Sequence, residues 1–78
     1  MDYFMLIDNL IEIIADYLEV DPDELRDDTD ILYEYDLDED QLEELAEIIE
    51  DETGEYVSAD MIETNSVIEK LAKAIEEF

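Results

Sequence analysis

The sequence contains no cysteine, no histidine and no tryptophan, and its 78 residues include one glycine and one proline. Without cysteine, neither a disulfide nor a thiolate metal site can stabilise the fold. Without histidine, the chain lacks the usual general base and the commonest nitrogen ligand for metals. Because neither residue type nor a glycine-rich loop accompanies the carboxylates, we expect no catalytic activity and no dedicated metal site.

Positive charge is almost absent as well. Three cations, Arg26, Lys70 and Lys73, stand against 28 acidic residues, and the net charge is -25. Binding to nucleic acid or to anionic lipid requires clustered cations, so we expect neither as a direct partner. The charge favours basic surfaces of partner proteins instead. The alternative is that the acidity serves only solubility or reflects the composition of the host's proteins.

Long hydrophobic runs are also missing. The longest comprises the five residues 3–7 (YFMLI), whereas a membrane-spanning helix needs about 20. No basic region precedes this run, so we predict no targeting segment and expect a cytoplasmic protein. The length and the 47% hydrophobic content predict a single domain over residues 1–78, with a small core. We expect it to be a monomer.

The sequence does contain strong helical periodicity. Apolar residues spaced three and four apart predict a first amphipathic helix over residues 2–19. Its inward positions are Phe4, Ile7, Ile11, Ile14 and Leu18. A second apolar stripe lies beside the first, so the buried face is wide enough to contact more than one neighbouring helix.

A second long helix is predicted over residues 39–53. Asp38 and Gln41 have the spacing of a capping box at its start, and Gly54 marks its end. We expect four of its apolar residues to point inward: Leu42, Leu45, Ile48 and Ile49. Residues 27–37, which precede it, show no clean period and are predicted to form a loop that its own apolar residues pack over the core.

Two further helices complete the predicted fold. Ser58 is placed to cap a short helix, and a last helix is expected to begin near Asn65 or Ser66 and to extend to Phe78. Ser66 and Glu69 have the spacing of a capping box for it. Because no segment alternates with period two, we predict an all-α fold, an irregular four-helix bundle with three longer helices and one short one.

Three segments resemble the acyl carrier protein family. Residues 13–25 (IIADYLEVDPDEL) are similar to its first helix and following turn, and residues 64–67 (TNSV) to the entry to its last helix. Residues 37–42 (LDEDQL) resemble its Leu-Gly-x-Asp-Ser-Leu attachment motif, with Asp38 in place of the glycine. The resemblance covers most of the chain and implies a carrier fold and a role in lipid or polyketide-type acyl metabolism.

In that family a serine at the start of the second long helix carries a phosphopantetheine arm. A match to the motif places the serine's position at Gln41, and a count without gaps from the flanks places it at Asp38 or Glu39. None of these is a serine, and the chain's two serines, Ser58 and Ser66, lie downstream. We therefore expect Gln41 to remain unmodified and the domain to carry no cofactor.

The acidic residues around the second helix are candidates for partner docking, since the resemblance implies that they contact basic patches of acyl-transfer enzymes. Eleven acids and no cation lie between Asp36 and Glu55. Like charges four residues apart on a helix cost stability, so their retention favours a docking function. The docking candidates are Asp36, Asp38, Glu39, Asp40, Glu43, Glu44 and Glu47.

Two alternative functions depend on the same charge. A nucleic-acid mimic would occupy the basic groove of a DNA-binding protein, with carboxylates spread over several faces. A low-affinity divalent-cation binder would use carboxylate ligands. Asp36, Asp38, Asp40 and Glu47 have the spacing of an EF-hand loop. However, Gln41 replaces its glycine, and a helix that begins near Glu39 would separate the ligands.

Overall fold

The computed structural model describes residues 3–77, and the side chains of residues 5–77. Its helices are α1 (Tyr3–Leu18), α2 (Ile31–Glu34), α3 (Glu39–Thr53), α4 (Ala59–Thr64) and α5 (Ile68–Glu77), with a 3-10 turn at Pro22–Glu24. Residues 3–77 contain no strand, only an isolated bridge between Asp30 and Val67. The predicted all-α bundle with three longer helices is confirmed, but the described residues form two short helices, α2 and α4, where one was predicted. Phe4 and Phe78, predicted above as helix positions, lie outside the described side chains.

Helix α1 is at the centre of the packing. It contacts both α3 and α5, while α4 contacts α3 and α5. The side chains of Leu10, Ile14, Leu45, Ile49 and Leu71 are completely buried where these helices meet. Burial of each contributes about 1.5–3 kcal/mol, so a few residues on α1, α3 and α5 hold the small domain together.

Local signals define both ends of α3. The Asp38 carboxylate accepts a hydrogen bond from the Gln41 backbone N–H at 2.8 Å, and the Gln41 side-chain oxygen accepts one from the Asp38 N–H at 2.9 Å. Gly54 ends the helix in the left-handed conformation, with φ 73°. The predicted bounds and the predicted capping box are therefore confirmed.

One residue of α3 that is predicted to lie in the core is partly exposed. Leu42, Leu45 and Ile49 are buried as expected, but Ile48 is 37% exposed. Each residue turns the helix by about 100°, so Ile48 lies about 60° around the helix from Leu45, which is itself at the edge of the buried stripe. Ile48 thus borders the core and faces the outer edge of α1.

The segment before α3 is not only the predicted loop, because Ile31–Glu34 form the short helix α2. Its apolar residues do pack on the core as predicted. Asp30 caps α2, since its carboxylate accepts hydrogen bonds from the Leu32 and Tyr33 backbone N–H groups. A hydrogen bond with the Ser66 hydroxyl is the main reason that the pKa of Asp30 lies below its ordinary value. Ile31 is fully buried, as predicted for this segment, whereas Tyr33 is exposed.

The same segment changes where α5 begins. The N–H groups of Ile68 and Glu69 donate to the carbonyl oxygens of Thr29 and Asp27, at 3.1 and 2.8 Å. These bonds satisfy donors at the helix start that the predicted Ser66 cap would have satisfied. Helix α5 therefore begins at Ile68, and the predicted start near Asn65 or Ser66 is wrong.

Helix α1 ends on a residue in an unfavourable conformation. The N–H of Val20 donates to the Ala15 carbonyl oxygen and that of Glu19 to the Asp16 carbonyl oxygen, which is the Schellman arrangement. Its left-handed position is usually a glycine, but here it is Glu19, with φ 59°. A residue with a Cβ atom is strained in this region.

We expect Glu19→Gly to raise the free energy of unfolding by about 0.5–1 kcal/mol, because relief of this strain outweighs the added freedom of the unfolded chain. Urea denaturation of the variant and the parent protein measures the difference. Glu19→Gln is the matched control, since it removes the charge and keeps the Cβ atom. An equal gain in both variants would attribute the effect to charge and contradict the conformational explanation.

Candidate functional site

The seven predicted docking residues form one acidic surface, which we call the α3 acidic surface. Asp36 lies in the connection before α3, Asp38 is its N-cap, and the others lie along the helix. Every one of the seven is exposed: Asp36, Asp38, Glu39, Asp40, Glu43, Glu44 and Glu47. Five of the seven therefore lie on α3 itself, and Asp36 and Asp38 directly precede it.

Two of these carboxylates also have structural partners. Asp38 caps the helix, as described above. Glu44 accepts a hydrogen bond of 2.6 Å from the hydroxyl of Tyr17, which joins α3 to α1. This bond, together with burial and the negative charge of Glu44, raises the pKa of Tyr17 to about 12. Replacing either acid would therefore disturb the fold as well as the surface charge.

No cation neutralises this surface from within residues 36–55. Arg26 lies before α2, and Lys70 and Lys73 are exposed on α5. The helix dipole places partial positive charge at the start of α3, where Glu39 and Asp40 are favourable. Farther along the helix the carboxylates have no such compensation, so their negative field extends into solvent.

Gln41 and Glu39 occupy different positions at the start of α3. Gln41 is the third residue of the helix and is partly buried, and its side-chain oxygen is bonded to the cap. Glu39 is the first residue of the helix and is exposed. Gln41 has no hydroxyl with which to form a phosphoester, so it does not fit the attachment of phosphopantetheine, and we assign no chemical step to it.

The residues with EF-hand spacing do not form a loop. Helix α3 begins at Glu39, so Asp36 and Asp38 lie before the helix while Asp40 and Glu47 lie on it. Within the described residues 5–77, no three acidic side chains converge as a metal site. The geometry of a wrapped calcium loop is therefore absent from this segment.

The sequence did not predict a recess between α1 and α3. Tyr17 of α1 and Ile48 of α3 both line it. The signal that could have identified it is the position of Ile48 at the edge of the apolar stripe rather than at its centre.

None of the helices within residues 3–77 combines the length and the apolar character that a membrane-spanning helix requires.

Comparison with known protein families gives a match over most of the chain. A family model described as the phosphopantetheine attachment site matches residues 8–75, which is most of the 78-residue chain. No curated protein and no solved structure matches the chain.

This match corrects one prediction. We expected no cofactor because Gln41 is not a serine, but the matching family is the one that carries phosphopantetheine. The expectation of a domain without a cofactor is therefore wrong. The expectation was wrong because it took the cofactor from the chemistry of one position, although the resemblance to the family covers most of the chain.

Proposed function

Since the chain belongs to the phosphopantetheine attachment site family, we propose that it is a carrier domain of acyl metabolism that docks onto basic enzymes through the α3 acidic surface. The family assignment confirms the resemblance to acyl carrier proteins and an acyl-carrier-like role. Carrier domains of this family are not themselves catalytic, which confirms the prediction that the chain is not an enzyme. The docking surface, the lipid or polyketide context and the cytoplasmic location are our proposals.

The observation that carries the docking proposal is the exposure of all seven carboxylates of the α3 acidic surface. Exposed carboxylates on one helix steer a positively charged partner and fix its orientation before close contact forms. The start of α3 is also where the family attaches its arm, so a partner held there would have the arm in reach. Docking and delivery would then use the same end of the molecule.

We expect the triple variant Glu39→Gln, Asp40→Asn and Glu43→Gln to bind a basic phosphopantetheinyl transferase about 10-fold more weakly, since three exposed ion pairs contribute roughly 0.5 kcal/mol each. The association rate should fall more than the dissociation rate rises, because rim charges act mainly on encounter. The variant keeps the Asp38 cap and the bond between Tyr17 and Glu44. Surface plasmon resonance at low and high salt measures both rates.

A second triple variant, Asp60→Asn, Glu76→Gln and Glu77→Gln, is the matched control. It removes three exposed charges from α4 and from the end of α5, and we expect its affinity to stay within about 2-fold of the parent value. Equal losses in both variants would mean that only total charge matters. Competition by duplex DNA for a DNA-binding partner would favour the nucleic-acid mimic instead.

A further inference from the structure

An open groove lies between α1 and the C-terminal half of α3, away from the start of α3. It has a volume of about 460 Å³, and its apolar lining comprises Ile13, Tyr17, Val20, Pro22 and Ile48. A smaller recess of about 300 Å³ adjoins it and shares Tyr17 and Ile48. The two recesses together form what we call the α1–α3 groove.

The apolar lining of the groove is partly exposed. Ile48 is 37% exposed, and Ile13, Tyr17 and Val20 are partly buried against the core. The bond between the Tyr17 hydroxyl and Glu44 fixes one wall, so the groove does not depend on a movement of α1. A preformed recess of this size is within the range that binds ligand groups in proteins.

The rim of the groove has a single sign of charge. Glu12 and Asp16 on α1 and Glu52 on α3 surround the larger recess. Glu44, Glu47 and Asp51 border the smaller one. Neither recess is lined by a lysine or an arginine, so an occupant gains most if it combines an apolar group with positive charge.

We propose that the α1–α3 groove binds a basic amphipathic helix of a partner protein, with apolar side chains packed on Ile48 and Tyr17 and lysine or arginine side chains against the rim. Helices of this type bind apolar grooves through residues spaced three and four apart. A second copy of this chain is excluded as the occupant, because it would add another charge of -25 to the same acidic rim. The groove thus adds a second partner surface, which shares Glu44 and Glu47 with the α3 acidic surface but does not include Glu39, Asp40 or Glu43.

The test uses a synthetic amphipathic helical peptide of leucine and lysine, and a peptide of the same composition whose sequence has no apolar face. We expect the amphipathic peptide to bind at least 10-fold more tightly, because only it can place leucine side chains on the apolar lining. Amide NMR shifts should change at Ile13, Tyr17, Val20 and Ile48. Equal binding of both peptides, or shifts confined to residues 36–43, would overturn the proposal.

Two variants separate the contribution of the apolar lining to peptide binding from that of the acidic rim. Ile48→Gln should weaken binding of the amphipathic peptide about 10-fold, because the edge of the apolar lining is lost. Glu12→Gln combined with Glu52→Gln should weaken it and reduce its salt dependence, without altering any buried contact. Thermal unfolding checks that each variant is folded. Unchanged affinity in both folded variants would contradict the groove as the binding site.

Two controls separate this proposal from the docking function and from an acyl site. The triple variant at Glu39, Asp40 and Glu43 should bind the peptide like the parent protein, so failure of one surface does not affect the test of the other. A monoacylglycerol offers an apolar chain without positive charge. If it displaces the peptide at equal concentration, the groove is an acyl site and the proposal fails.

Discussion

Raising the NaCl concentration from about 0.01 M to about 1 M is expected to raise the free energy of unfolding by on the order of 2–4 kcal/mol. The folded domain measures 27 × 25 × 19 Å. At the lower concentration the Debye length is about 30 Å, and at the higher one it is about 3 Å. In dilute salt every carboxylate therefore repels every other across the whole domain, and in concentrated salt only near neighbours interact.

The size of this effect follows from the charge pattern of α3. Acids four residues apart include Asp40 with Glu44, Glu43 with Glu47, and Glu47 with Asp51. Each like-charge pair costs roughly 0.2–0.5 kcal/mol, so the pairs three and four apart on this helix together amount to on the order of 2 kcal/mol. Repulsion between carboxylates on different helices adds to this cost in the folded state. The unfolded chain is more expanded, so its carboxylates repel one another less.

Urea denaturation at several salt concentrations measures the effect. The double variant Glu43→Gln and Glu47→Gln, which keeps the favourable acids Glu39 and Asp40 at the helix start, should be more stable than the parent in dilute salt and should respond less to added salt. A free energy of unfolding that does not change below about 0.1 M salt would contradict self-repulsion as the cause.

The same measurement tests the divalent-cation alternative. Screening depends on ionic strength, so calcium, magnesium and sodium chloride at equal ionic strength should stabilise the domain similarly after allowance for cation charge. A rise in melting temperature that calcium produces and magnesium does not match would indicate carboxylate ligation. Such a result would favour a calcium-binding function over simple charge relief.

The sequence predicts best the elements that local chemistry determines. The bounds of α3 were predicted correctly because Asp38, Gln41 and Gly54 act within a few residues of their own positions. The cap of α4 is equally local, since the Ser58 hydroxyl accepts a hydrogen bond from the Met61 backbone N–H. Wherever a side chain satisfies the backbone of its own helix, the spacing of residues contains the answer.

Elements that depend on distant residues could not be predicted in this way. The start of α5 is set by carbonyl oxygens at Asp27 and Thr29, some forty residues earlier in the chain. The exposure of Ile48 depends on which part of α1 lies opposite it. A helical pattern defines a face, but it does not say how far a neighbouring helix covers the edge of that face.

The candidate site was predictable in its charge and not in its attachment chemistry. Exposure of the five acids that lie on α3 follows from their positions outside the apolar stripe, and the structure agrees. The cofactor cannot be predicted from Gln41 alone, because the family match over residues 8–75 depends on the whole fold and not on one position. The position that corresponds to the family's serine depends on where the helix begins, which the motif alone left open.

We expect Glu39→Ser to acquire one phosphopantetheine arm at position 39 when it is incubated with coenzyme A and a phosphopantetheinyl transferase. Glu39 is exposed at the first position of α3, where the partial positive charge of the helix favours a phosphodiester. The substitution leaves the capping bonds between Asp38 and Gln41 in place. Intact mass followed by peptide mapping measures the gain and locates it.

Gln41→Ser is the matched variant for the alternative position. Residue 41 is partly buried on the third position of the helix, and the substitution removes the acceptor of the Asp38 N–H bond, at a cost of about 1 kcal/mol. We therefore expect much less arm at position 41 than at position 39. The parent protein, mapped in parallel, identifies any acceptor that the chain already provides, so that only new sites are counted.

The two variants together decide how the family motif fits this chain. An arm at position 41 and none at position 39 would show that the match to the motif is correct and that the argument from the helix start is wrong. An arm at position 39 would place the family's serine directly after the Asp38 cap. The α3 acidic surface would then surround the attachment point, and the acids that steer a partner would also determine how the arm is presented to it.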